Sequence, residues 1–357
     1  MNIKKIFTLF TCMFFLNIHV NSFVKCYNLN KIYTTHTYSS LRKENSVLLC
    51  NKYSNNNINS VNIINKLKSF LKLMRIKSIL PTLLLNLSGG IIINQSIDLL
   101  RSKIFIVSCI NTILIMCNSM IINDLFDISI DKINNSKRPL ITEEVKYREA
   151  VILSITLFIL IKYLSVIYLP NNLCNIINIA ILFTIIYTPI LKKIVFFKNI
   201  SCAIIVSFTI FFSGLSANSL NYIQMNKNYD ILLFLTKFIF LGSLYNELLL
   251  DIHDYNGDKQ NKINTIPVLF GKDNAFRIAN IILKINIAQN IYNIYKIFNS
   301  KFILQIIPII IFDNIQYDLI NIKKYNYSKK SIDDAINNLN KPLLVMISYI
   351  CILSFFK

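Results

Sequence analysis

Apolar segments of about twenty residues alternate with short polar stretches along most of this chain, the pattern of helices that cross a lipid bilayer. Such segments lie near residues 76–95, 103–122, 149–169, 173–191, 199–218, 230–249, 274–295, 301–320 and 341–356. The seventh and eighth are the least apolar: Asn286, Gln289 and Asn290 dilute one, and Asp313 ends the continuous apolar part of the other. The pattern predicts an all-α integral membrane protein with about nine transmembrane helices. Residues 66–357 then form one polytopic membrane domain.

The polar stretches are not alike. The loops after the second, fourth, sixth and eighth segments carry Lys132, Lys137, Arg138, Lys146 and Arg148, then Lys192, Lys193 and Lys198, then Lys259, Lys262, Lys272 and Arg277, then Lys323, Lys324, Lys329, Lys330 and Lys341. The opposite loops carry only Arg101, Lys103, Lys227, Lys296 and Lys301. This bias is the positive-inside signature of a membrane protein and supports the assignment of spans. Composition agrees: 54% of the 357 residues are hydrophobic and the mean hydropathy is +0.50, more apolar than a soluble domain. A net charge of +20 invites a nucleic-acid reading, but the cations are dispersed along loops without zinc-finger spacing or an RNP-like aromatic motif, so no nucleic-acid partner is expected. The eight cysteines form no CxxC pair and the three histidines are scattered, which argues against a disulfide framework or a zinc site.

Residues 1–22 have a short basic start, an apolar core and a small-residue exit, the form of a secretory signal peptide. Residues 23–65 set Lys25, Lys31, Arg42, Lys43 and Lys52 against the single acid Glu44 in a hydroxyl- and Asn-rich stretch, a transit-peptide composition. Together they resemble the two-part leader of proteins delivered to a secondary plastid. The expected destination is a plastid (apicoplast) membrane. The alternative for these residues is a signal anchor with a disordered Asn-rich linker; the alternative destinations are the endoplasmic reticulum and the mitochondrial inner membrane.

Against this background the acids are distributed unevenly. Asp124, Asp127 and Asp131 recur at the same spacing, 127 residues later, as Asp251, Asp254 and Asp258. Both sets sit where an apolar segment meets a basic loop. Carboxylates beside hydrocarbon are costly, so an ionisable cluster there points to function. At 100° per residue each triplet falls within about 60° of helix circumference; Asn123 broadens the first stripe and Glu247 extends the second. If the helices run on through the motifs, two ridges of oxygen ligands face each other. Oxygen-only ligation favours Mg²⁺ over zinc or copper, and Mg²⁺ commonly bridges carboxylates to phosphates. The nearby cations Arg138, Lys192 and Lys259 are placed to take up remaining phosphate charge. Gly89 and Gly90 in the first span are read as packing residues, and His253 as an interfacial residue off the acid stripe.

The stretch N-D-x-x-D-x-x-x-D-x-x-N-x-x-x-R-P-L from Asn123 to Leu140 resembles the first signature of the UbiA superfamily of intramembrane prenyltransferases. The stretch D-x-x-D-x-x-G-D from Asp251 to Asp258, followed by Thr265-Ile266-Pro267-Val268 and Gly271, resembles the second. Tyr187-Thr188-Pro189 with Lys192 is similar to a Tyr-plus-Lys signature at the end of the fourth helix, and Arg75 matches a basic position at the head of the first span. The chain departs from the pattern in Thr142-Glu143-Glu144, where a small residue is usual, and in the Tyr-to-Lys spacing, which brings Lys193 into consideration beside Lys192. Gly257 before Asp258 is more like plastid-type members acting on homogentisate or chlorophyllide than like 4-hydroxybenzoate or protohaem transferases.

The resemblance implies transmembrane helices around a central cavity, Mg²⁺ held by Asn123, Asp124, Asp127, Asp131, Asp251, Asp254 and Asp258, and a prenyl diphosphate donor. Arg75, Arg138, Lys192 and Lys259 are then expected on the diphosphate, and Asp127, Asp254, Tyr187 and Lys192 to carry catalysis. The expected reaction moves the prenyl group to an aromatic acceptor in the membrane, in prenylquinone or tocopherol-type synthesis, with 4-hydroxybenzoate or protohaem transfer as the alternative. Tyr187 would either face a developing cation with its ring or anchor at the membrane interface. A carboxylate-based cation transporter is the rival from another class, but it would bury its acids at mid-span, whereas these lie at the ends of the second and sixth segments.

Overall fold

The computed structural model describes residues 64–218, 225–298 and 302–355. The leader read over residues 1–65 therefore lies, apart from its last two residues, outside the described part. The chain divides into two compact units, Met1–Phe70 and Leu71–Lys357. Of the first, residues 64–70 are helical, and the Ser69 hydroxyl donates to the Asn65 carbonyl.

Every regular element described in the second unit is helical. In chain order these are α1 (Ile79–Asn94), α2 (Lys103–Phe126), α3 (Ile128–Asn134), α4 (Tyr147–Tyr168), α5 (Asn171–Tyr187), α6 (Phe197–Asn218), α7 (Met225–His253), α8 (Tyr255–Gln260), α9 (Ile266–Phe270), α10 (Lys272–Phe298), α11 (Phe302–Lys324) and α12 (Lys329–Leu353), with 3₁₀ turns at Ile76–Ser78, Ile97–Arg101 and Leu191–Lys193. Local chemistry starts them where expected. The Ser102 side chain accepts from the Phe105 N–H to cap α2, and Ser328 does the same for α12 from Ser331. Each long helix packs on the next in the chain and α12 returns to α1, closing a ring; α1 also packs across it on α6 and α7.

Among the described residues, six stretches are long and apolar enough to span a bilayer: Ile76–Asn94, Lys103–Phe126, Tyr147–Tyr168, Phe197–Asn218, Asn228–His253 and Lys329–Leu353. The helix Asn171–Tyr187 is apolar but shorter. Helices α10 and α11, the two predicted to be least apolar, fall outside this set. In α10 the reason is internal. Asn286 and Asn290 are buried, Asn286 donating to the Phe238 carbonyl of α7 at 3.2 Å and Asn290 to Asn286 at 3.3 Å. Polar residues spent on helix–helix hydrogen bonds lower the hydropathy of a segment without exposing it to lipid.

The outer face of the ring is aliphatic, and its largely apolar interior also holds hydrogen-bonded polar groups. On α4, Ile152, Ile155, Ile159 and Val166 point outward, while Ser154 and Ser165 face α2. There Asn111 donates to the Ser165 hydroxyl at 3.1 Å and Asn118 to the Ser154 carbonyl at 3.2 Å. Polar groups inside and aliphatic groups outside is the arrangement that a hydrocarbon solvent demands.

Gly89 and Gly90 set how closely α1 approaches its neighbours. A Cβ at Gly89 would come within 2.3 Å of both the Ile210 carbonyl oxygen and the Ser213 hydroxyl of α6, and one at Gly90 within 2.4 Å of the Phe105 ring of α2. The obstacle at Gly89 includes backbone, which cannot swing aside. Gly89→Val is expected to cost at least the ~1–3 kcal/mol typical of overpacking, read as a lower thermal midpoint in detergent. Gly242→Ala is the control, because its nearest neighbours lie at 3.7 and 3.8 Å; equal midpoints for the two variants would contradict the packing role.

Candidate active site

Both aspartate motifs are built the same way. Helix α2 ends at Phe126, Asp127 adopts φ −96° and ψ 11°, and α3 resumes at Ile128. Helix α7 ends at His253, Asp254 adopts φ −88° and ψ 4°, and α8 resumes at Tyr255. The continuous helical stripe expected from sequence is therefore bent in each motif at its middle acid, in the bridge region where active-site residues often sit. Hydrogen bonding is nearly uninterrupted: Asp127 N–H reaches the Asn123 carbonyl at 3.0 Å and Asp131 N–H that of Asp127 at 2.8 Å, matched by Asp254 to Leu250 at 2.9 Å and Asp258 to Asp254 at 3.1 Å. The motifs meet at Asn134 and Gly257, where a Cβ would come within 2.2 Å of Asn134 Oδ1. Glycine at 257 is what lets the two motifs close on each other.

Between them is a cavity of about 440 Å³. The first motif lines it with Asn123, Asp127 and Asp131, the second with Glu247, His253, Asp254 and Asp258. Arg75, Arg138, Tyr187, Lys192, Lys198 and Cys202 join them, with Asp333 of α12. Apolar lining comes from Met120, Ile205, Val206 and Leu250.

Cations hold most of these acids. Lys192 bonds Asp127 and also donates to Asn123 Oδ1 at 3.0 Å. Arg138 pairs with Asp131 and, at 2.7 Å, with Asp124, which Arg75 also contacts at 3.0 Å. Arg75 reaches it from a left-handed backbone (φ 50°), a conformation that costs a non-glycine residue energy and is kept where the side chain is needed. In the second motif Lys198 bonds Asp251, and Asn199 donates to its other oxygen at 2.8 Å. His253 Nδ1 lies 2.7 Å from Asp254, and its Nε2 lies 3.5 Å from Asp333. Asp258 differs: its Oδ2 is buried with no hydrogen-bond partner.

Burial pushes the Asp131 and Asp258 carboxyls up to about 6, against the opposing pull of Arg138 and Lys198 respectively. Burial acts on Asp254 in the same direction, but the His253 hydrogen bond and charge hold it below its ordinary value. Among the described residues no three acid, His or Cys side chains already converge as a closed metal cluster. The donor set still suits a hard cation: the carboxylates of both motifs face one cavity, and Asp258 Oδ2 lacks any other partner. An ion there would take over as countercharge from Lys192 and Arg138.

Of the residues singled out in the sequence, Arg75, Asn123, Asp127, Asp131, Arg138, Tyr187, Lys192, Asp254 and Asp258 share the cavity. Asp124 and Asp251 lie behind it, buried on their cations. Lys259 is not brought in; it is exposed and reaches only the Tyr255 hydroxyl at 3.5 Å. The Lys193 side chain lies outside the described part. Tyr187 is no interfacial anchor, being buried in the cavity wall with its hydroxyl 2.9 Å from Cys202 Sγ. His253 faces the cavity as well. Sequence reasoning missed Lys198 as the partner of Asp251, the Asn134 contact and Asp333. Lys198 carried a signal as a cation just outside a span, and Asn134 as the second asparagine of the first signature; Asp333 carried none.

The ring of helices and its doubled acid motif define a membrane protein built to handle a polyanion at one end of its bundle. The UbiA prenyltransferase family matches residues 83–310, and the chain belongs to that family. Among similar proteins, the digeranylgeranylglyceryl phosphate synthase of Saccharolobus solfataricus is 32% identical over 218 residues, 61% of this chain and 74% of its own length. That of Methanosphaera stadtmanae is 31% identical over 226 residues, 63% of this chain and 78% of its own. A solved digeranylgeranylglyceryl phosphate synthase structure superimposes with a TM-score of 0.57 at 25% identity, covering 81% of this chain and 97% of that one. A UbiA homologue from Archaeoglobus fulgidus, bound to DMAPP and Mg²⁺, shares the fold with a TM-score of 0.58 at 21% identity, covering 81% of this chain and 98% of that one. This chain is an integral membrane prenyltransferase.

The raised carboxyls fix a pH dependence. With folded values above the ordinary 3.8, Asp131 and Asp258 keep protons that the unfolded chain releases, so the metal-free protein loses stability as pH rises from 3.8 to about 6. A divalent cation held by these two carboxyls would displace the same protons. Cation affinity is expected to fall below about pH 6, with proton release on binding. Titration calorimetry in two buffers of different ionisation enthalpy checks it; an affinity unchanged from about pH 8 to pH 5 would contradict the assignment.

Proposed function

We propose that the cavity binds a prenyl diphosphate together with Mg²⁺ and transfers the prenyl group to a hydroxyl of a glyceryl phosphate acceptor. The observation that carries this reading is the convergence of both acid motifs, Lys192 and Arg138 on one cavity that also has an apolar wall. Asp127, Asp131, Asp254 and Asp258 would hold the cation. Bound there, Mg²⁺ supplies countercharge to the departing diphosphate. Lys192, Arg138 and Arg75 take the remaining phosphate oxygens. The Tyr187 ring faces the allylic carbon as positive charge develops, and Met120, Ile205, Val206 and Leu250 receive the start of the hydrocarbon chain. Much of the catalysis is then electrostatic, aimed at the charge that grows on diphosphate.

The acceptor is inferred from the relatives, whose name describes a glyceryl phosphate carrying two geranylgeranyl chains. An aromatic acceptor of prenylquinone or tocopherol type is the second reading. Gly257 favoured it in the sequence, but the Asn134 contact gives that glycine a packing reason of its own. For compartment, the leader composition supports a plastid membrane.

The test supplies purified protein with labelled geranylgeranyl, phytyl and longer diphosphates, against glyceryl phosphate and aromatic acceptors. Mg²⁺-dependent product on the glyceryl phosphate is expected; product on aromatic acceptors alone would replace this reading with the second. Asp127→Asn and Asp254→Asn should each lower turnover about 10²–10³-fold, the scale of losing one electrostatic stabiliser. Excess Mg²⁺ should rescue these in part but not Lys192→Ala, whose defect concerns the phosphate. Near-normal turnover in either Asn variant would sink the two-motif site.

A further inference from the structure

We propose that Glu247 takes the proton from the acceptor hydroxyl as the new bond forms, a role that rests on the prenyl-transfer reading above. Glu247 lines the same cavity from within the span Asn228–His253. It precedes Asp251 by four residues of α7, a rise of about 6 Å, so its carboxyl lies deeper in the bundle than the acids assigned to the diphosphate. An ionisable group at that depth is costly and signals function by default.

Its surroundings suit a proton acceptor. Cys202 is within hydrogen-bonding reach of Glu247; Lys198 and Lys192 offer it positive charge, while Asp251, one turn along the same helix, opposes them. Cys202 in turn contacts the Tyr187 hydroxyl at 2.9 Å. Lys198 is committed to Asp251 by a direct bond, so it lends Glu247 positive potential without closing an ion pair over it. The other cavity acids are placed differently. Asp127 and Asp131 are held by Lys192 and Arg138, Asp254 by His253, and Asp333 stands 59% exposed at the rim. Asp258 belongs to the outer, diphosphate end. Met120, one turn before Asn123 on α2, and Ile205, one turn after Cys202 on α6, add apolar lining to the same cavity. A donor with its diphosphate among the motif acids and its chain on that apolar wall must present its first carbon at this boundary, beside Glu247.

The step balances. The C1–O bond of the donor breaks and its electron pair leaves on diphosphate. The acceptor oxygen bonds to C1, and its proton passes to the Glu247 carboxylate, which later releases it to water at the cavity mouth. General-base participation of this kind contributes about 10²–10⁴-fold to a rate.

The experiment compares full-length wild type, Glu247→Gln and Glu247→Asp with labelled geranylgeranyl diphosphate, Mg²⁺ and a glyceryl phosphate acceptor. It measures transfer, donor binding at equilibrium, and slow donor hydrolysis without acceptor. The expected result for Glu247→Gln is a kcat for transfer lower by about 10²–10⁴-fold, with donor binding and hydrolysis retained; Glu247→Asp should recover part of the loss. Transfer by Glu247→Gln within about twofold of wild type would overturn the role of Glu247 and leave the proposed function standing. So would parallel loss of binding, hydrolysis and transfer in both variants, which marks a structural group. Absence of transfer to any hydroxyl acceptor by wild type itself would instead remove the proposed function, and this role with it.

Discussion

The cost of keeping carboxylates at the end of a membrane span organises the rest of this structure. Asp124 and Asp251 are almost completely buried, where an ion loses several kcal/mol of hydration and removal of its partner is expected to cost about 3–5 kcal/mol. Each is therefore met by cations brought from elsewhere in the chain. Arg75 comes from the turn before α1 and Arg138 from the connection after α3 to meet Asp124; Lys198 and Asn199 come from the start of α6 to meet Asp251. These pairings tie the starts of α1 and α6 to the two motifs. They also explain the left-handed strain at Arg75 and the close approach of α1 to α6 over Gly89.

The second consequence is an internal pseudo-symmetry with a division of labour. The motifs share spacing, bend and hydrogen-bond pattern, yet their countercharges differ. The first is surrounded by Arg75, Arg138 and Lys192, the second by one lysine, one asparagine and one histidine. The second motif also retains the partnerless Asp258 oxygen. On the proposed function, the first motif is the end that gives up its cations to phosphate and the second is the end that most needs an ion. The contact of Asn134 with Gly257 keeps the two at working distance, and only a residue without a side chain allows it.

Much of this was legible in the sequence, because hydrocarbon solvent leaves few choices. Apolar runs, basic loops and a repeated acid spacing pointed to the helices and to most of the charged residues that line the cavity. What escaped was decided by tertiary geometry. A stripe drawn on an ideal helix cannot foresee that Asp127 and Asp254 each bend the chain. Lys259 follows Asp258 by one residue, and that step of 100° around α8 turns it away from the cavity. The polarity of α10 looked like weakness in a span; it is instead the hydrogen-bonding face that Asn286 turns to α7. Gly257 suggested a subfamily, although packing on Asn134 already requires it.

The cation-paired state bears on how a polyanion can enter at all. If the acids stood unpaired, folding would have to bear their mutual repulsion across a cavity with low-dielectric walls. If the cations stood unpaired, the site would attract any anion. Pairing neutralises the first motif, and on the proposed function its members need only exchange partners when ligand arrives: Lys192 and Arg138 pass from carboxylate to phosphate as carboxylate passes to metal. No protein charge is newly desolvated in such an exchange; the ligand alone sheds hydration, and one carrying both a divalent cation and a diphosphate meets a partner for each of its charges. A prenyl alcohol or a bare cation completes only half of the exchange and leaves either acids or bases unmatched, which is costly at this depth. On the proposed function, selectivity for the metal–diphosphate pair follows from the same constraint that places Arg75, Arg138, Lys192 and Lys198 in the fold.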